Sequence, residues 1–336
     1  MVSLRIVYCG TPQFAVPTLE ALLASRHTVV GVLTQPDRPR GRGQRLQPTP
    51  VKAVALEHGL PVFQPERLRD PEVRRTLEGW APDLGVVAAY GQLFPEELLR
   101  IPRLGMINVH ASLLPKYRGA APIQRAVIDG ETTTGVTIMQ VIKALDAGDM
   151  LASTRYPIGP DETSDSVERA LATLGAALLV ETVERLAQGP VAGERQDDML
   201  ATYAPRLTKA EGLLDWTLPA AYIHNRVRGL YPWPHAYTYL EGGRLIILAT
   251  AVESAGSASG ADSASDSATG SRAEPGTVIS TSPEGIDVAT GHNGRIVITR
   301  LQPEGRRAMT VREFLGGHPI PAGTRLTPPP AVTPDP

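Results

Sequence analysis

The sequence contains one cysteine, Cys9, among its 336 residues. A single thiol excludes an internal disulfide and a zinc site built from several cysteines. Cys9 ends an apolar segment, so we interpret it as a small buried residue. The seven histidines are scattered, and no two of them have the spacing of paired metal ligands. We therefore expect no catalytic metal.

Long apolar runs and an excess of one charge are also missing. No apolar run approaches the roughly 20 residues that span a bilayer. Residues 1–12 lack the charged region and long apolar core of a signal peptide. From these absences we expect a soluble, cytoplasmic protein with no membrane partner. The net charge is −2, so any contact with nucleic acid must come from local basic patches.

The first half of the chain alternates strands and helices. A strand at 4–9, a helix at 16–25 and a strand at 28–34 form the βαβ unit of a parallel sheet. Further strands are predicted at 61–64, 84–89, 135–141 and 150–158, and helices at 51–58, 66–79, 95–99, 122–128 and 165–188. We therefore predict an α/β domain with a Rossmann-like, mostly parallel sheet. Its first turn has Gly10 without the further glycines of a dinucleotide fingerprint, so nothing favours NAD.

The second half has a different pattern. After a helix at 219–230, the predicted elements are short strands at 236–240, 244–252, 277–280, 286–289 and 295–301. Short strands without intervening helices favour a small β-barrel or a sandwich. We predict a small C-terminal β-barrel of the OB-like kind.

The length of the chain allows two domains. We predict a first domain over 1–188, a linker over 189–215 where periodicity is lost, and the barrel domain over 216–318. Residues 254–274 are rich in Ser, Ala, Gly and Asp and predict a disordered insertion within the barrel. The proline-rich end, 319–336, predicts a disordered tail.

Residues 35–50 form a basic segment with four prolines and two glycines, which predicts a loop without regular structure. Its four arginines are Arg38, Arg40, Arg42 and Arg45. Only Asp37 opposes them. One interpretation is a solvated, mobile charge run; the other is a basic arm that contacts phosphates, with base contact through an arginine fork. Composition alone does not separate the two.

Residues 105–124 contain the most informative polar pair. The stretch opens as a strand, so Asn108 and His110, two residues apart, point to one face. Residues 112–119 then form a loop at the end of that strand, which is where open α/β sheets build their sites. Asp146 follows the strand at 135–141, and we expect all three residues on the same rim of the sheet.

An Asn amide, a His and an Asp together suit acyl transfer to an amine. The amide and the imidazole donate to a developing oxyanion, and the carboxylate orients the ring. No Ser or Cys lies in a recognisable nucleophile motif, so direct transfer fits better than a covalent acyl-enzyme. Each residue also has an ordinary structural explanation: a turn for Asn108 and Asp146, and a packing role for His110.

Two longer blocks resemble the signature of folate-dependent formyltransferases. The first is Asn108-Val-His110 with Ser112-Leu-Leu-Pro115 and Arg118-Gly-Ala-Ala-Pro122-Ile; the second is Gly135-Val-Thr-Ile-Met-Gln140 with Leu145-Asp146-Ala-Gly-Asp149-Met150. Shorter motifs resemble the family members that act on initiator methionyl-tRNA: Gly10-Thr-Pro12, Thr34-Gln-Pro-Asp-Arg38, Gly41-Arg-Gly43 and Tyr231-Pro-Trp-Pro234. The resemblance covers nearly the whole chain except 254–274 and the proline-rich tail. One departure is Ala144, where a glycine often precedes the Leu-Asp pair.

The resemblance implies a formyl donor and roles for the polar residues. The co-substrate 10-formyltetrahydrofolate would lie along Ser112, Leu113, Leu114 and Pro115 and the loop after Val141. Its formyl group would lie beside Asn108 and His110, and Asn108 together with a protonated or neutral His110 would stabilise the tetrahedral oxyanion. Asp146 would set the charge and position of His110 and help remove the amine proton through water. No metal is implied.

The resemblance also implies initiator methionyl-tRNA as the acceptor, and no protein partner. It favours the tRNA-binding interpretation of the arginine segment, with Arg42 foremost and Arg38 and Arg45 in support. Lys209 in the linker would add to a second basic surface on the barrel. Arg226 and Arg228 would contribute too, although a solvated surface is the commoner explanation for any single one of these three. Two alternatives remain open: a formyltransferase for a small amine, such as a nucleotide or an amino-sugar, and a non-catalytic RNA-binding protein.

Overall fold

The computed structural model describes residues 2–40, 45–252 and 273–326. Its strands are β1 (Arg5–Gly10), β2 (Thr28–Leu33), β3 (Arg38–Arg40), β4 (Arg45–Gln47), β5 (Val62–Phe63), β6 (Leu84–Ala88), β7 (Met106–His110), β8 (Arg118–Gly119), β9 (Thr133–Gln140), β10 (Met150–Pro157), β11 (Tyr203–Ala204), β12 (Ala236–Leu240), β13 (Gly243–Ala251), β14 (Val278–Ser282), β15 (Gly285–Ala289), β16 (Arg295–Pro303) and β17 (Met309–Thr310). Its α-helices are α1 (Val16–Leu23), α2 (Pro50–Glu57), α3 (Pro71–Trp80), α4 (Glu96–Leu99), α5 (Pro122–Ile128), α6 (Ser164–Gln188), α7 (Ala220–Gly229) and α8 (Val311–Leu315). Within these described ranges, none of the helices combines the length and apolar character needed to cross a bilayer.

The chain forms two compact units. The first comprises the described parts of Met1–Ile123, Thr132–Pro160 and Ser166–Arg206, and the second those of Gln124–Glu131, Asp161–Asp165 and Leu207–Pro336. The stretch predicted as a linker, 189–215, is therefore divided between the two units. Residues up to Arg206 belong with the first.

The first unit is built on a seven-stranded sheet with the order β10-β9-β7-β6-β1-β2-β5. The strands from β7 to β5 run parallel, whereas β9 is antiparallel to β7 and β10 is antiparallel to β9. The mostly parallel sheet confirms the predicted α/β class. Its central strands are buried along almost their whole length, as strands covered on both faces must be. Cys9 is fully buried, as predicted, and burial raises the pKa of its thiol.

Capping residues set where the helices of this unit begin. At the start of α2, the side chain of Thr49 accepts a hydrogen bond from the backbone nitrogen of Lys52 at 3.1 Å, and Pro50 occupies the first turn. Helix α3 begins at Pro71 and not at the predicted residue 66. Asp70 is extended and Pro71 takes the first helical position, where its missing N–H costs nothing.

Part of the arginine segment is regular, contrary to the prediction for 35–50. Strands β3 and β4 pair antiparallel, with Arg38 opposite Gln47 and Arg40 opposite Arg45. A proline is tolerated in an isolated two-stranded ribbon because no further strand needs its missing N–H. Residues 41–44, which include Arg42, lie outside the described residues.

The second unit contains an antiparallel sheet with the order β12-β13-β16-β15-β14, and β17 pairs with β16. Its inward side chains, such as Leu245, Ile286 and Ile298, are buried. Two bridges join its edge regions through one short segment: Leu240 pairs with Leu326, and Thr277 pairs with Arg325. This closure turns the sheet into a barrel, which confirms the predicted β-rich C-terminal domain.

The bridges also correct the predicted tail. Disorder was expected from residue 319, but Ile320 and Leu326 are buried and residues 325 and 326 pair with strands of the barrel. Ile320 and Leu326, which lie among the prolines, are buried in the second unit. The composition of this stretch alone does not predict their burial. At the predicted insertion, residues 253–272 lie outside the described residues, while Glu274 forms an ion pair with Arg325.

Candidate active site

Strand β7 places two polar side chains on one face of the parallel sheet. Asn108 and His110 are two residues apart, so both leave the strand on the same side. His110 is only 5% exposed. Its Nε2 lies 2.9 Å from the carbonyl oxygen of Tyr117. A carbonyl oxygen can only accept, so Nε2 carries a proton and donates it.

Asp146 faces the other ring nitrogen of His110. Its Oδ2 lies 3.7 Å from Nδ1, which is too long for a direct hydrogen bond but close enough for the carboxylate to attract any positive charge that the ring carries. The same oxygen accepts a hydrogen bond from the backbone nitrogen of Gly119 at 2.8 Å. The backbone of Asp146 has φ = 48°, in the left-handed region that few residues other than Gly, Asn and Asp adopt.

The trio comes together, but the expected route by which Asp146 reaches the rim is wrong. It assumes parallel strands, but β9 runs antiparallel to β7, so Gln140 at the end of β9 lies opposite Ile107 and not opposite His110. The loop 141–149 returns toward the end of β7 and brings Asp146 to His110. Among the described non-glycine residues of this loop, only Asp146 has a positive φ. Ala144 does not have a positive φ, so an alanine in place of a glycine causes no backbone strain there.

Asn108 is a polar group of the site with spare bonding capacity. Its residue is half-buried in the middle of β7. Within the described part of the chain, its carboxamide has no hydrogen-bond partner in the protein. A half-buried amide without a partner next to a His–Asp pair can donate to a ligand oxygen. The structure thus brings Asn108, His110 and Asp146 together, as the sequence predicts.

The stretch Ser112–Pro115 forms a tight loop directly after β7. The hydroxyl of Ser112 is buried and donates to the carbonyl of Lys116 at 2.7 Å. Thr137 closes the same loop, since its hydroxyl donates to the Ser112 carbonyl at 2.8 Å and accepts from the Leu114 nitrogen at 3.2 Å. Ser112 and Leu114 therefore shape the loop, while the side chains of Leu113 and Pro115 are half-buried.

Sequence reasoning missed the residues that support the trio from the stretch predicted as a linker. Gln196 is 5% exposed and donates to the carbonyls of Asp146 and Gly148 at 2.9 and 2.8 Å. Thr202 accepts a hydrogen bond from the Tyr117 nitrogen at 2.9 Å. Neither residue lies in a periodic pattern, so no local signal in the sequence indicates its role.

The arginine segment is anchored at its base by a polar cluster. Asp37 accepts hydrogen bonds from Lys52 Nζ at 2.5 Å and from Gln64 Nε2 at 2.7 Å. Partial burial acts to raise the pKa of the Asp37 carboxyl, but these two hydrogen bonds and the charge of Lys52 outweigh burial and hold its pKa below the usual range. Because Asp37 is engaged by Lys52, it is not free to neutralise the arginines that follow it.

The predicted basic residues differ in their surroundings. Arg38 on β3 and Lys209, which starts a short 3-10 helix in the second unit, are exposed; Arg45 lies on β4. Arg228 is buried and donates to Asn225 Oδ1 and the Glu162 carbonyl at 2.9 and 3.0 Å. Burial lowers the pKa of Arg228. For this residue both earlier interpretations, a solvated charge and an RNA contact, are wrong.

Both parts of the chain match models of formyl transferase domains. Residues 4–183 match the model described as "Formyl transferase", and residues 206–319 match "Formyl transferase, C-terminal domain". A methionyl-tRNA formyltransferase of Trichlorobacter lovleyi is 48% identical over 328 residues, covering 98% of this chain and 98% of the relative. The enzyme of the same name from Geobacter sulfurreducens is 47% identical and covers 97% and 98% of the two chains.

Solved structures share the fold at low sequence identity. An N-formyltransferase from Helicobacter canadensis in complex with folinic acid and dTDP-3-aminofucose superposes with a TM-score of 0.64 at 15% identity, covering 89% of this chain and 99% of that one. HypX from Aquifex aeolicus in complex with tetrahydrofolic acid gives a TM-score of 0.61 at 16% identity and covers 94% and 47% of the two chains. The chain thus spans about half the length of HypX.

Proposed function

Since the chain belongs to the formyl transferase family, we propose that it transfers the formyl group of 10-formyltetrahydrofolate to the α-amine of methionine on initiator methionyl-tRNA, for translation initiation. The observation that carries the choice of acceptor is the identity of 47–48% with relatives of that name across both units. A folate donor is supported by the solved relatives that bind folinic acid and tetrahydrofolic acid.

The proposed reaction is a direct acyl transfer. The α-amine of methionine attacks the formyl carbon, a C–N bond forms, and the carbonyl oxygen becomes a tetrahedral oxyanion. When the bond from the formyl carbon to N10 of the folate breaks, N10 takes up a proton, and the attacking amine loses one. The products are formyl-methionyl-tRNA and tetrahydrofolate.

The three polar residues have distinct parts in this proposal. Asn108 donates its free carboxamide N–H to the oxyanion. The Nε2 of His110 is already used by Tyr117, so Nδ1 is the ring nitrogen left for the substrate. When Nδ1 also carries a proton, the ring donates from Nδ1 to the oxyanion, and the Asp146 carboxylate 3.7 Å away attracts the positive charge that the ring then has. Asp146 also relays the amine proton through water.

The acceptor is held elsewhere in the chain. We place Arg38, Arg42 and Arg45 against the acceptor stem, where arginines contact phosphates and the edges of terminal bases. The exposed Lys209 adds a contact to phosphate. Ser112, Leu113, Leu114 and Pro115 form the wall for the folate, with Leu113 and Pro115 making the side-chain contacts.

One assay tests the proposed function. The protein is incubated with 10-formyltetrahydrofolate and either initiator methionyl-tRNA, elongator methionyl-tRNA or a nucleotide-linked amino-sugar, and each formylated product is measured. We expect formyl-methionine on the initiator tRNA far above the other two acceptors. Formylation of the small amine without formylation of the tRNA would overturn the choice of acceptor. The absence of any formylated product would overturn the proposed formyltransferase activity.

The substitution Arg42→Ala should lower kcat/KM for initiator tRNA by about 10-fold or more, the loss expected when one specific arginine contact to a nucleic acid is removed. If Arg42 reads a base, discrimination between initiator and elongator tRNA falls; if it contacts a phosphate, both acceptors weaken together and the salt dependence of KM becomes shallower. Arg75→Ala, at an exposed arginine on α3, is the matched control. An Arg42→Ala enzyme with unchanged kinetics on both tRNAs contradicts the assignment of the arginine segment.

A further inference from the structure

Residues 194–204 follow helix α6 without helical or strand periodicity, yet they are fastened to the active site of the first unit. Glu194 exchanges two backbone hydrogen bonds of 2.8 Å with Met150, at the start of β10. Further along, β11 pairs in parallel with β8, so Tyr203 and Ala204 lie beside Arg118 and Gly119. The segment therefore contacts the chain on both sides of the site: the start of β10, just after the loop that carries Asp146, and β8, which follows the loop after His110.

Gln196 is the buried centre of this attachment. Its Nε2 donates to the carbonyl oxygens of Asp146 at 2.9 Å and Gly148 at 2.8 Å. Its Oε1 accepts from Arg118 Nε at 3.0 Å, and Arg118 in turn donates to Asp198 at 2.8 Å. An amide is the side chain that supplies two donors and an acceptor at one point without charge. Every polar group of the Gln196 side chain is thus in use.

The two carbonyls that Gln196 binds belong to Asp146 and to Gly148, two residues further along the loop. Asp146 is in the left-handed region at φ = 48°, which Asp adopts more readily than most residues but which contacts with its surroundings help to hold. Its carboxylate is held by the Gly119 nitrogen and its carbonyl by Gln196. The backbone of Gly148 packs closely against Gln140, since a Cβ at Gly148 would lie 1.9 Å from the carbonyl oxygen of Gln140. Gln196 therefore holds the backbone of the loop at the residue whose carboxylate faces His110.

Thr202 gives the same segment a second attachment, on the histidine side. Its hydroxyl accepts from the Tyr117 nitrogen at 2.9 Å, and its carbonyl accepts from the Arg118 nitrogen at 2.8 Å. Tyr117 is the residue whose carbonyl binds His110 Nε2. One short segment therefore holds both the acceptor that fixes the tautomer of His110 and the loop that presents Asp146.

We propose that Gln196 is a positioning residue for Asp146 and that residues 194–204 act as a brace that sets the geometry of the His110–Asp146 pair; this rests on the proposed formyl transfer at that site. Gln196 acts through Asp146 and does not need to touch either substrate. Its removal affects the chemical step and leaves the binding of folate and tRNA in place.

The test is a double-mutant cycle measured by formylation of initiator methionyl-tRNA. Gln196→Ala and Gln196→Glu should each lower kcat by about 100-fold, the loss that a misplacement of about 1 Å produces, while KM for both substrates changes less than about 3-fold. Glutamate keeps the shape of the side chain and the contact to Arg118. It places a carboxylate oxygen, which cannot donate, against the carbonyl oxygens of Asp146 and Gly148. In the Asp146→Asn background the same Gln196 substitutions should cause little further loss, because the charge that Gln196 positions is already absent.

Thr202 supplies a second arm that does not depend on a buried substitution. Thr202→Val removes the acceptor for the Tyr117 nitrogen and should lower kcat about 10-fold, and Thr202→Ser should restore it. The proposed positioning role is overturned if the kcat losses of Gln196→Ala and Asp146→Asn are fully additive in the double variant. It is also overturned if the Gln196 and Thr202 substitutions change only KM. A wild-type enzyme that does not formylate the tRNA instead overturns the proposed function, so the two failures are distinguishable.

Discussion

Replacing His110 by alanine should lower kcat for formyl transfer by about 1,000-fold, since a general acid–base group contributes about 10²–10⁴-fold and a single oxyanion donor about 10²–10³-fold. The imidazole is buried, its Nε2 is bound to the Tyr117 carbonyl, and its Nδ1 faces Asp146. The substitution removes a donor to the oxyanion and leaves the basic segment and the barrel unchanged. The dissociation constant for initiator tRNA should therefore stay within about 3-fold of wild type.

The design must separate loss of chemistry from loss of structure. His110→Ala removes the hydrogen bond from Nε2 to the Tyr117 carbonyl, and the loss of one hydrogen bond costs about 0.5–1.5 kcal/mol. His110→Gln has an amide that can donate to that carbonyl but cannot carry the charge of an imidazolium. We expect it to recover thermal stability without recovering turnover. His58→Ala, at an exposed histidine that follows α2, is the matched control. Retention of wild-type turnover by His110→Gln contradicts the assigned role.

The sequence predicts the central part of the fold because the relevant signals are local. Strand β6 is an unbroken apolar run, and it is buried at every position. Two-residue spacing correctly places Asn108 and His110 on one face of β7. Turns and short apolar strands after Ala236 likewise predict the β-rich second unit. In each case the residues that define the element lie next to one another in the chain.

The parts that could not be predicted depend on contacts between distant residues. The direction of β9 relative to β7 is decided by pairing and not by the composition of either strand, so the route by which Asp146 reaches His110 was wrong although the pair itself was right. Gln196 lies 50 residues from Asp146 in the chain and has no periodic neighbours. A single polar residue gains such a role only when the fold encloses it.

The site contains two groups of residues that differ in how far the sequence reveals them. The residues proposed for chemistry stand in a recognisable motif, because the reaction limits which side chains can serve. The residues that hold them, Gln196 and Thr202, satisfy backbone groups and could be any side chain of suitable bonding capacity at another point in the chain. Sequence motifs are informative about the first group and nearly silent about the second.

Asp146→Asn should lower kcat by about 100-fold without a measurable change in the melting temperature. Asparagine tolerates the left-handed backbone at φ = 48°, and its carbonyl oxygen can still accept from the Gly119 nitrogen. What is lost is the negative charge 3.7 Å from His110 Nδ1, which attracts the charged ring in the transition state. A thermal melt and the steady-state rate on initiator tRNA, measured side by side, check this separation.

Asp146→Ala provides the contrast that identifies the cause. Alanine loses the charge and the acceptor for Gly119 together, and it occupies the left-handed region less readily than asparagine. We expect it to lose turnover at least as far as Asp146→Asn and to lower the melting temperature as well. If the charge is the essential contribution, the two variants have similar kcat values and different stabilities. If Asp146 instead serves to shape the loop, Asp146→Asn retains turnover near wild type, and the assignment of Asp146 to the chemistry fails.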